Sequence, residues 1–305
     1  MQIIIRALTV ALMFAGFARA ETTSCKPLTR LSSAEMRDVG SGLVTVPVEF
    51  ESKTVPLLLS LTTLQSEVDK SEIEPLRLMP GRLEAVGVWA FHDAVLVPRL
   101  RIGDLEFKNR YVAVDPGNSA YSFSKAAGGV LGMDLLAPFD IELDFANHKL
   151  NLFLPDHCPG AVYWPAASAT EIPTRFDPWL FGDTFSVKLN DKEIDAVLDT
   201  GSTSSWLTEV AAEAVFSIDF DSPGMRSVPT TNDDQVHSYV FRTLDFGGVA
   251  FSNLPLMIYE SRGSIRPTLH LGMHELRKLH IFLARGQKVM YVTPAGPIAP
   301  QASAQ

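Results

Sequence analysis

Apolar and polar residues alternate with a period of two over many short stretches of this chain, and turn-forming residues interrupt the pattern about every eight to twelve residues. This period is typical of strands that bury one face. Asn190-Asp191, Gly103-Asp104 and Gly247-Gly248 stand where hairpin turns are needed. Helical patterns are confined to Thr208 to Phe216 and to brief turns such as His274 to Leu279. The chain is therefore predicted to be all-β.

The strand pattern occurs twice, in two copies of roughly 110 residues each. Three pairs of segments match, and they begin at Val46 and Phe185, at Leu100 and Leu244, and at Val130 and His270. The repeat predicts two lobes related by a pseudo-twofold axis, residues 42–155 and 182–293, with a cleft between them. A segment rich in Pro and Ala, residues 156–181, is predicted to link them.

One acid of the second copy stands where an acid is costly. The apolar strand that ends at Leu198 delivers Asp199 into a turn of Thr200, Gly201 and Ser202. An acid at a buried strand end usually has a function. The apolar-apolar-Asp-Thr-Gly-Ser pattern resembles the active-site loop of aspartic proteases. The triplets that end at Gly132 and Gly272, VLG and HLG, resemble the second motif of the retropepsin branch of that family.

The resemblance implies a bilobal fold of two retropepsin-like or pepsin-like β-barrels, in which each lobe brings one such loop to the cleft. It assigns the catalytic loop to Asp199, Thr200, Gly201 and Ser202. In the family two carboxylates share one proton; one activates water and the other protonates the scissile carbonyl. This chemistry implies no metal and no organic cofactor.

The first copy departs from the family pattern. Ser60, Leu61 and Thr62 stand where a second Asp-Thr-Gly is expected. A serine hydroxyl can hold a water molecule, but near neutral pH it is neither a carboxylate base nor a good acid. Other acids follow the two motifs of this copy, and we expect them on outer turns or strands, away from the cleft: Glu67, Asp69, Asp140 and Asp144.

Three hypotheses follow from the single acid. The chain is an aspartic endopeptidase that recovers its second acid by homodimerisation, or a pseudo-protease that binds extended peptide without cleaving it, or a monomeric hydrolase that uses Asp199 alone, with Ser60 positioning water. The sequence favours an exported endopeptidase that cleaves periplasmic or extracellular proteins, and the pseudo-protease is the alternative. The expected partner is a polypeptide.

Two histidines in and beside the second motif are candidate metal ligands. His270 and His274 are four residues apart, a spacing that places two ligands on one face of a helix. Leu271 and Gly272 between them belong to a strand end and a turn, however, so packing or surface roles are expected for both histidines and no metal site is predicted. Residues 227–239 resemble the flap hairpin of the family.

The chain begins with a pattern typical of a cleaved signal peptide, residues 1–20, with Arg6 before an apolar run and Ala18-Arg19-Ala20 at its end. Removing it changes the formal net charge from −9 to −11, because Arg6 and Arg19 leave with it. Such an acidic protein is not expected to bind nucleic acid or anionic membranes. We expect a periplasmic or secreted protein with a disordered tail at residues 294–305.

The chain has two cysteines, Cys25 before the first copy and Cys158 after it. In an oxidising compartment an even pair of cysteines is more often a disulfide than two free thiols. A catalytic cysteine beside His157 is the alternative, but adjacent residues rarely face each other productively. A disulfide between Cys25 and Cys158 is therefore predicted.

Overall fold

A computed structural model describes residues 25–40, 42–84, 91–115, 127–162, 164, 169–177, 182–229, 236–259, 266 and 268–296. The predicted signal peptide and residues 297–305 of the predicted tail lie outside the described residues. Within these described ranges, no helix has the length and apolar character needed to cross a membrane.

The first half of the chain closes a ring of six strands. Its elements are β1 (Arg30–Glu35), β2 (Arg37–Asp38), β3 (Val44–Phe50), β4 (Lys53–Leu59), β5 (Glu67–Asp69), α1 (Lys70–Ile73), a 3-10 helix (Glu74–Leu76), β6 (Met79–Glu84), β7 (Phe91–Ile102), β8 (Leu105–Asp115), β9 (Gly129–Leu131), α2 (Met133–Leu136), β10 (Asp140–Asp144) and β11 (Lys149–Phe153). The ring runs β3-β4-β9-β5-β8-β7 and closes because β7 also pairs with β3. The alternate residues Val46, Val48 and Phe50 of β3 are fully buried inside it.

The second half closes an equivalent ring. Its elements are β12 (Thr170–Pro173), β13 (Arg175–Asp177), β14 (Gly182–Leu189), β15 (Lys192–Leu198), β16 (Trp206–Thr208), α3 (Glu209–Phe216), β17 (Arg226–Val228), β18 (Val236–Phe246), β19 (Val249–Tyr259), β20 (Thr268–Leu271), α4 (Met273–Leu276), β21 (Leu279–Ala284), a 3-10 helix (Arg285–Gln287) and β22 (Val289–Pro294). The ring order is β14-β15-β20-β16-β19-β18, closed by β14 and β18. The predicted all-β class and the two barrel lobes are confirmed.

Local sequence explains the turns and the one longer helix. Asn190 and Asp191 both adopt positive φ, 47° and 64°, as the tight turn between β14 and β15 requires. Thr208 caps α3, since its side chain accepts a hydrogen bond from the backbone N–H of Ala211 at 3.3 Å. The helix prediction for this segment is confirmed, with the cap residue itself outside the helix.

A third sheet joins the two lobes. It contains six strands in the order β1-β11-β10-β21-β22-β12, three from each half of the chain. The lobes meet where β10 pairs antiparallel with β21, and Leu143 lies opposite Ile281 there. Both residues are almost completely buried. The two lobes are therefore held together by one continuous hydrogen-bonded sheet within a single chain.

The acids of β10 lie in this shared sheet, not on an outer strand as expected. Asp140 is completely buried and its carboxylate lies 2.8 Å from Nε2 of His157. Glu142 contacts Nε2 of His280, from the other lobe, at 2.8 Å and accepts a hydrogen bond from Asn151 Nδ2 at 2.8 Å. An alternating strand normally has one solvated face, but on this face of the shared sheet His157 contacts Asp140 and the ring of Trp164 lies on that of His280. The expectation that Asp140 and Asp144 lie away from the cleft agrees with the structure, since neither lines the cavity described below.

Cys25 and Cys158 form a disulfide, and the backbone N–H of Cys158 donates to the carbonyl of Lys26 at 2.8 Å. The bond ties the start of the described chain to the segment that follows the first lobe. Replacing both cysteines by serine should lower the free energy of unfolding by about 2–5 kcal/mol, because the unfolded chain gains the freedom that the cross-link removes. Denaturant unfolding measures this loss. Complete alkylation of both thiols in the non-reduced protein would contradict the pairing.

Candidate active site

The loop that carries Asp199 is clamped to the second motif of its own lobe. The backbone N–H of Asp199, just after β15, donates to the carbonyl of Leu271 at 2.9 Å, and that of Met273 donates to the carbonyl of Ser202 at 2.9 Å. Gly272 permits this close approach, because a Cβ at that position would lie 2.4 Å from the carbonyl carbon of Ser204. The loop position is thus fixed by backbone contacts on both sides.

The first lobe holds its corresponding loop in the same way. The backbone N–H of Ser60 donates to the carbonyl of Leu131 at 3.0 Å, and that of Met133 donates to the carbonyl of Thr63 at 2.8 Å. Ser60 therefore occupies in the first lobe the place that Asp199 occupies in the second.

Both loops line one cavity of about 260 Å³ between the lobes. The first lobe contributes Leu58, Ser60, Thr62, Thr63 and Val130, and the second contributes Asp199, Gly201, Ser202, Trp206 and His270. Cavities of about 390 and 320 Å³ are larger, but neither is lined by Asp199 or Ser60. The interlobe cavity is the candidate active site because it contains the buried carboxylate.

The two loops touch each other directly. The backbone N–H of Leu61 donates to Oγ1 of Thr200 at 3.0 Å, and the hydroxyl of Thr62 donates to Oδ1 of Asp199 at 3.2 Å. A Cβ on Gly201 would lie 3.2 Å from Oγ of Ser60. Leu61 stands in the first lobe where Thr200 stands in the second, but Leu61 has no hydroxyl and cannot make the corresponding hydrogen bond. The loop interface is therefore asymmetric, although the backbones correspond.

Asp199 is 5% exposed and is surrounded by donors. Its Oδ2 accepts hydrogen bonds from Oγ of Ser202 at 2.8 Å and from Nε1 of Trp206 at 2.9 Å, and Nδ1 of His270 lies 3.3 Å away. Burial raises the pKa of Asp199, but the contacts with His270, Trp206 and Ser202 outweigh it and hold the pKa below its ordinary value of 3.8. The group is therefore an ionised carboxylate at the base of the cavity.

His270 combines a packing contact, which is one of the two roles expected for it, with a position against this carboxylate. Its ring stacks on Trp206, with ring centroids 3.6 Å apart and an angle of 16° between the planes. The two residues are directly opposite in the antiparallel pair of β16 and β20. His274, on α4, has a side chain that is 68% exposed, as expected for a surface residue. The sequence feature that could have indicated a role for His270 in the site is its position, because the first copy has the apolar Val130 there.

Hydroxyl groups fill the side of the cavity where the resemblance implies a second acid. Oγ of Ser60 lies 2.7 Å from Oγ1 of Thr63 and 3.4 Å from Oγ1 of Thr62. Thr62 in turn donates to Asp199. A chain of hydroxyls thus connects Ser60 to the carboxylate.

The other acids near the first loop do not line the cavity, which agrees with the expectation for Glu67 and Asp69. Burial raises the pKa of Glu67, and the charge of Asp115 raises it further while that of His92 opposes the rise.

Within the described part of the chain, no group of three or more His, Cys, Asp or Glu is placed to hold a metal ion. Of the segment that resembles the flap, residues 230–235 lie outside the described residues.

Residues 185–274 match the family model described as aspartyl protease. Over these residues the second lobe is similar to aspartyl protease domains. The matched residues extend from within β14 into α4, so they contain both Asp199 and Gly272. A search of curated proteins found no match to the chain. The matched lobe supplies the carboxylate of the cavity, and the first lobe, which supplies the hydroxyls, lies outside the matched residues.

Proposed function

We propose that this chain is an exported aspartic-type endopeptidase that cleaves peptide bonds with Asp199 as its one cleft carboxylate. The observation that carries the proposal is the position of Asp199, which is buried and lines a cavity that both lobes build. Export rests on the predicted signal peptide. The substrates are then unfolded or loop-exposed polypeptides of the periplasm or the extracellular medium.

The chemistry requires a base and a positioned water molecule. An ionised carboxylate accepts a proton from water as the water oxygen attacks the scissile carbonyl carbon. The hydroxyls of Ser60 and Thr62 face the same cavity and can hold that water, since a hydroxyl both donates and accepts. Proximity and orientation in a buried cavity add to the rate enhancement.

One chain is sufficient for this site. The face of the Asp199 loop that a second copy would have to approach is already covered by the chain's own Leu61 and Thr62. The shared sheet fixes the two lobes in that arrangement. These contacts favour the monomeric hypothesis over homodimerisation.

Specific activity should therefore be independent of protein concentration. Ser60→Ala should lower kcat by about tenfold, because one hydrogen bond of about 1.4 kcal/mol to the attacking water is lost. Cleavage of a quenched fluorescent polypeptide at several enzyme concentrations measures both effects, and Ser252→Ala, on the exposed surface of β19, is the matched control. A rise of specific activity with concentration would instead support a dimer.

A peptide-binding pseudo-protease is the second candidate, and the hydroxyls at the position of the second acid favour it. Cleavage and binding of the same extended peptide, measured side by side from acidic to alkaline pH, separate the two candidates. Cleavage supports the endopeptidase. Saturable binding without cleavage at any pH would replace it with the pseudo-protease.

A further inference from the structure

We infer that the imidazole of His270 is the second proton-carrying group of this active site, in place of the carboxylate that is missing at Ser60. The inference rests on the proposed endopeptidase function. It assigns a catalytic role to a position that the family resemblance fills with an apolar residue, as Val130 does in the first copy.

The first support is the placement of the imidazole. Nδ1 of His270 lies 3.3 Å from Oδ2 of Asp199 and is buried, and no well-aligned hydrogen-bond partner faces it within the described residues. An unpaired buried polar nitrogen is costly, whereas an imidazolium beside a buried carboxylate is stabilised by its charge. The stack on Trp206 holds the ring in this place, and the side chain lines the cavity with 12% of its surface exposed.

The second support comes from the other neighbours of His270. On β15, Val197 is its partner in the parallel pair, and on β19, Tyr259 meets the edge of Trp206. Burial raises the pKa of Tyr259, and the charge of Asp199 raises it further, so this phenol stays neutral. Glu275 of α4 accepts a hydrogen bond from Ser205. From the first lobe, the cavity presents apolar side chains and hydroxyls. Among the described groups, Asp199 is thus the charged partner that faces His270.

The pair can complete the hydrolysis without a second acid. Asp199 takes one proton from water while the water oxygen bonds to the scissile carbon, and His270 gives its proton to the carbonyl oxygen. Asp199 then gives its proton to the leaving nitrogen as the C–N bond breaks, and the hydroxyl proton returns to His270 as the carbonyl re-forms. One water is consumed, and both residues recover their starting protonation states.

The kinetic test is His270→Gln, with His274→Gln as the matched control on the exposed surface. Loss of a general acid predicts a fall in kcat of about 10²- to 10⁴-fold, with little change in KM. The acid limb of the profile should move to higher pH, because His270 lowers the pKa of Asp199. A His270→Gln enzyme that keeps the wild-type rate and profile would overturn the inference and leave the proposed function intact.

A second measurement does not depend on activity. The carboxyl carbon of Asp199, assigned by its loss in Asp199→Asn, is titrated by NMR in the wild type and in His270→Gln. The midpoint should rise in His270→Gln if the imidazole is charged while Asp199 titrates, because His270 lowers the pKa of Asp199. An unchanged midpoint in a folded variant would overturn the inference whether or not the protein cleaves peptides. Absence of cleavage by the wild type at every pH would defeat the proposed function separately.

Discussion

Replacing Asp199 by asparagine should abolish peptide cleavage, with a loss of at least about 10³-fold in kcat/KM. An amide cannot accept the proton of the attacking water, and among the described residues no other carboxylate lines the cavity. Asp195→Asn is the matched control, since it changes the same group on β15, where the side chain is 41% exposed and pairs with Arg175. Undiminished proteolysis by the pure Asp199→Asn protein would exclude Asp199 as the catalytic base.

The lowered pKa of Asp199 determines how the stability and the activity of the protein change in acid. The pKa of Asp199 is lowered in the folded protein, so its ionised form stabilises the fold above its ordinary pKa of 3.8. This contribution is lost as the pH falls through the lower folded value. Wild-type activity should therefore persist below about pH 4, provided that the chain remains folded. The acid limb of kcat/KM, measured with a substrate that does not titrate, reports this pKa.

Replacing Glu142 by alanine should lower the free energy of unfolding by about 3–5 kcal/mol, because it leaves the buried His280 and Asn151 without their shared partner. The corresponding fall in Tm is on the order of 10 °C. Glu49→Ala is the matched control, since the pair of Glu49 and Arg101 is solvent-exposed and contributes at most about 1 kcal/mol. Calorimetry measures both variants, and equal effects would show that the buried pair does not hold the lobes together.

The strands, turns and helices that depend on residues close together in the sequence could be predicted from it. The period-two alternation of β3, the Asn190-Asp191 turn and the capped helix after Thr208 all depend on local preferences that the tertiary contacts do not override. Asp199 was also predictable, because an acid directly after an apolar strand and before Thr-Gly is a local pattern.

The partners of Asp199 depend on contacts between distant segments. His270 and Trp206 reach the carboxylate because β20 and β16 pair with these two residues opposite each other. Trp206 and His270 are 64 positions apart in the sequence, so packing between distant segments sets this register. The sequence shows only that a histidine stands in an apolar motif, and this allows packing as readily as a role in the site.

The burial of Glu142 could not be predicted for a different reason. An alternating strand normally has one solvated face. In this chain β21 of the second lobe extends the sheet beyond β10 and brings His280 to Glu142. The polar face of one lobe is thus completed by the other, which no pattern within either copy reveals.

Because the β10–β21 pair joins both lobes in one chain, the two sides of the cleft can change independently of each other in evolution. In a symmetric homodimer one codon specifies both catalytic loops, so losing an acid on one side means losing it on both. In this chain positions 60 and 199 are encoded independently, and the first lobe can exchange its acid for a hydroxyl while the second keeps its carboxylate. The joined sheet holds the altered loop in place, so each side of the cleft can acquire a different chemistry.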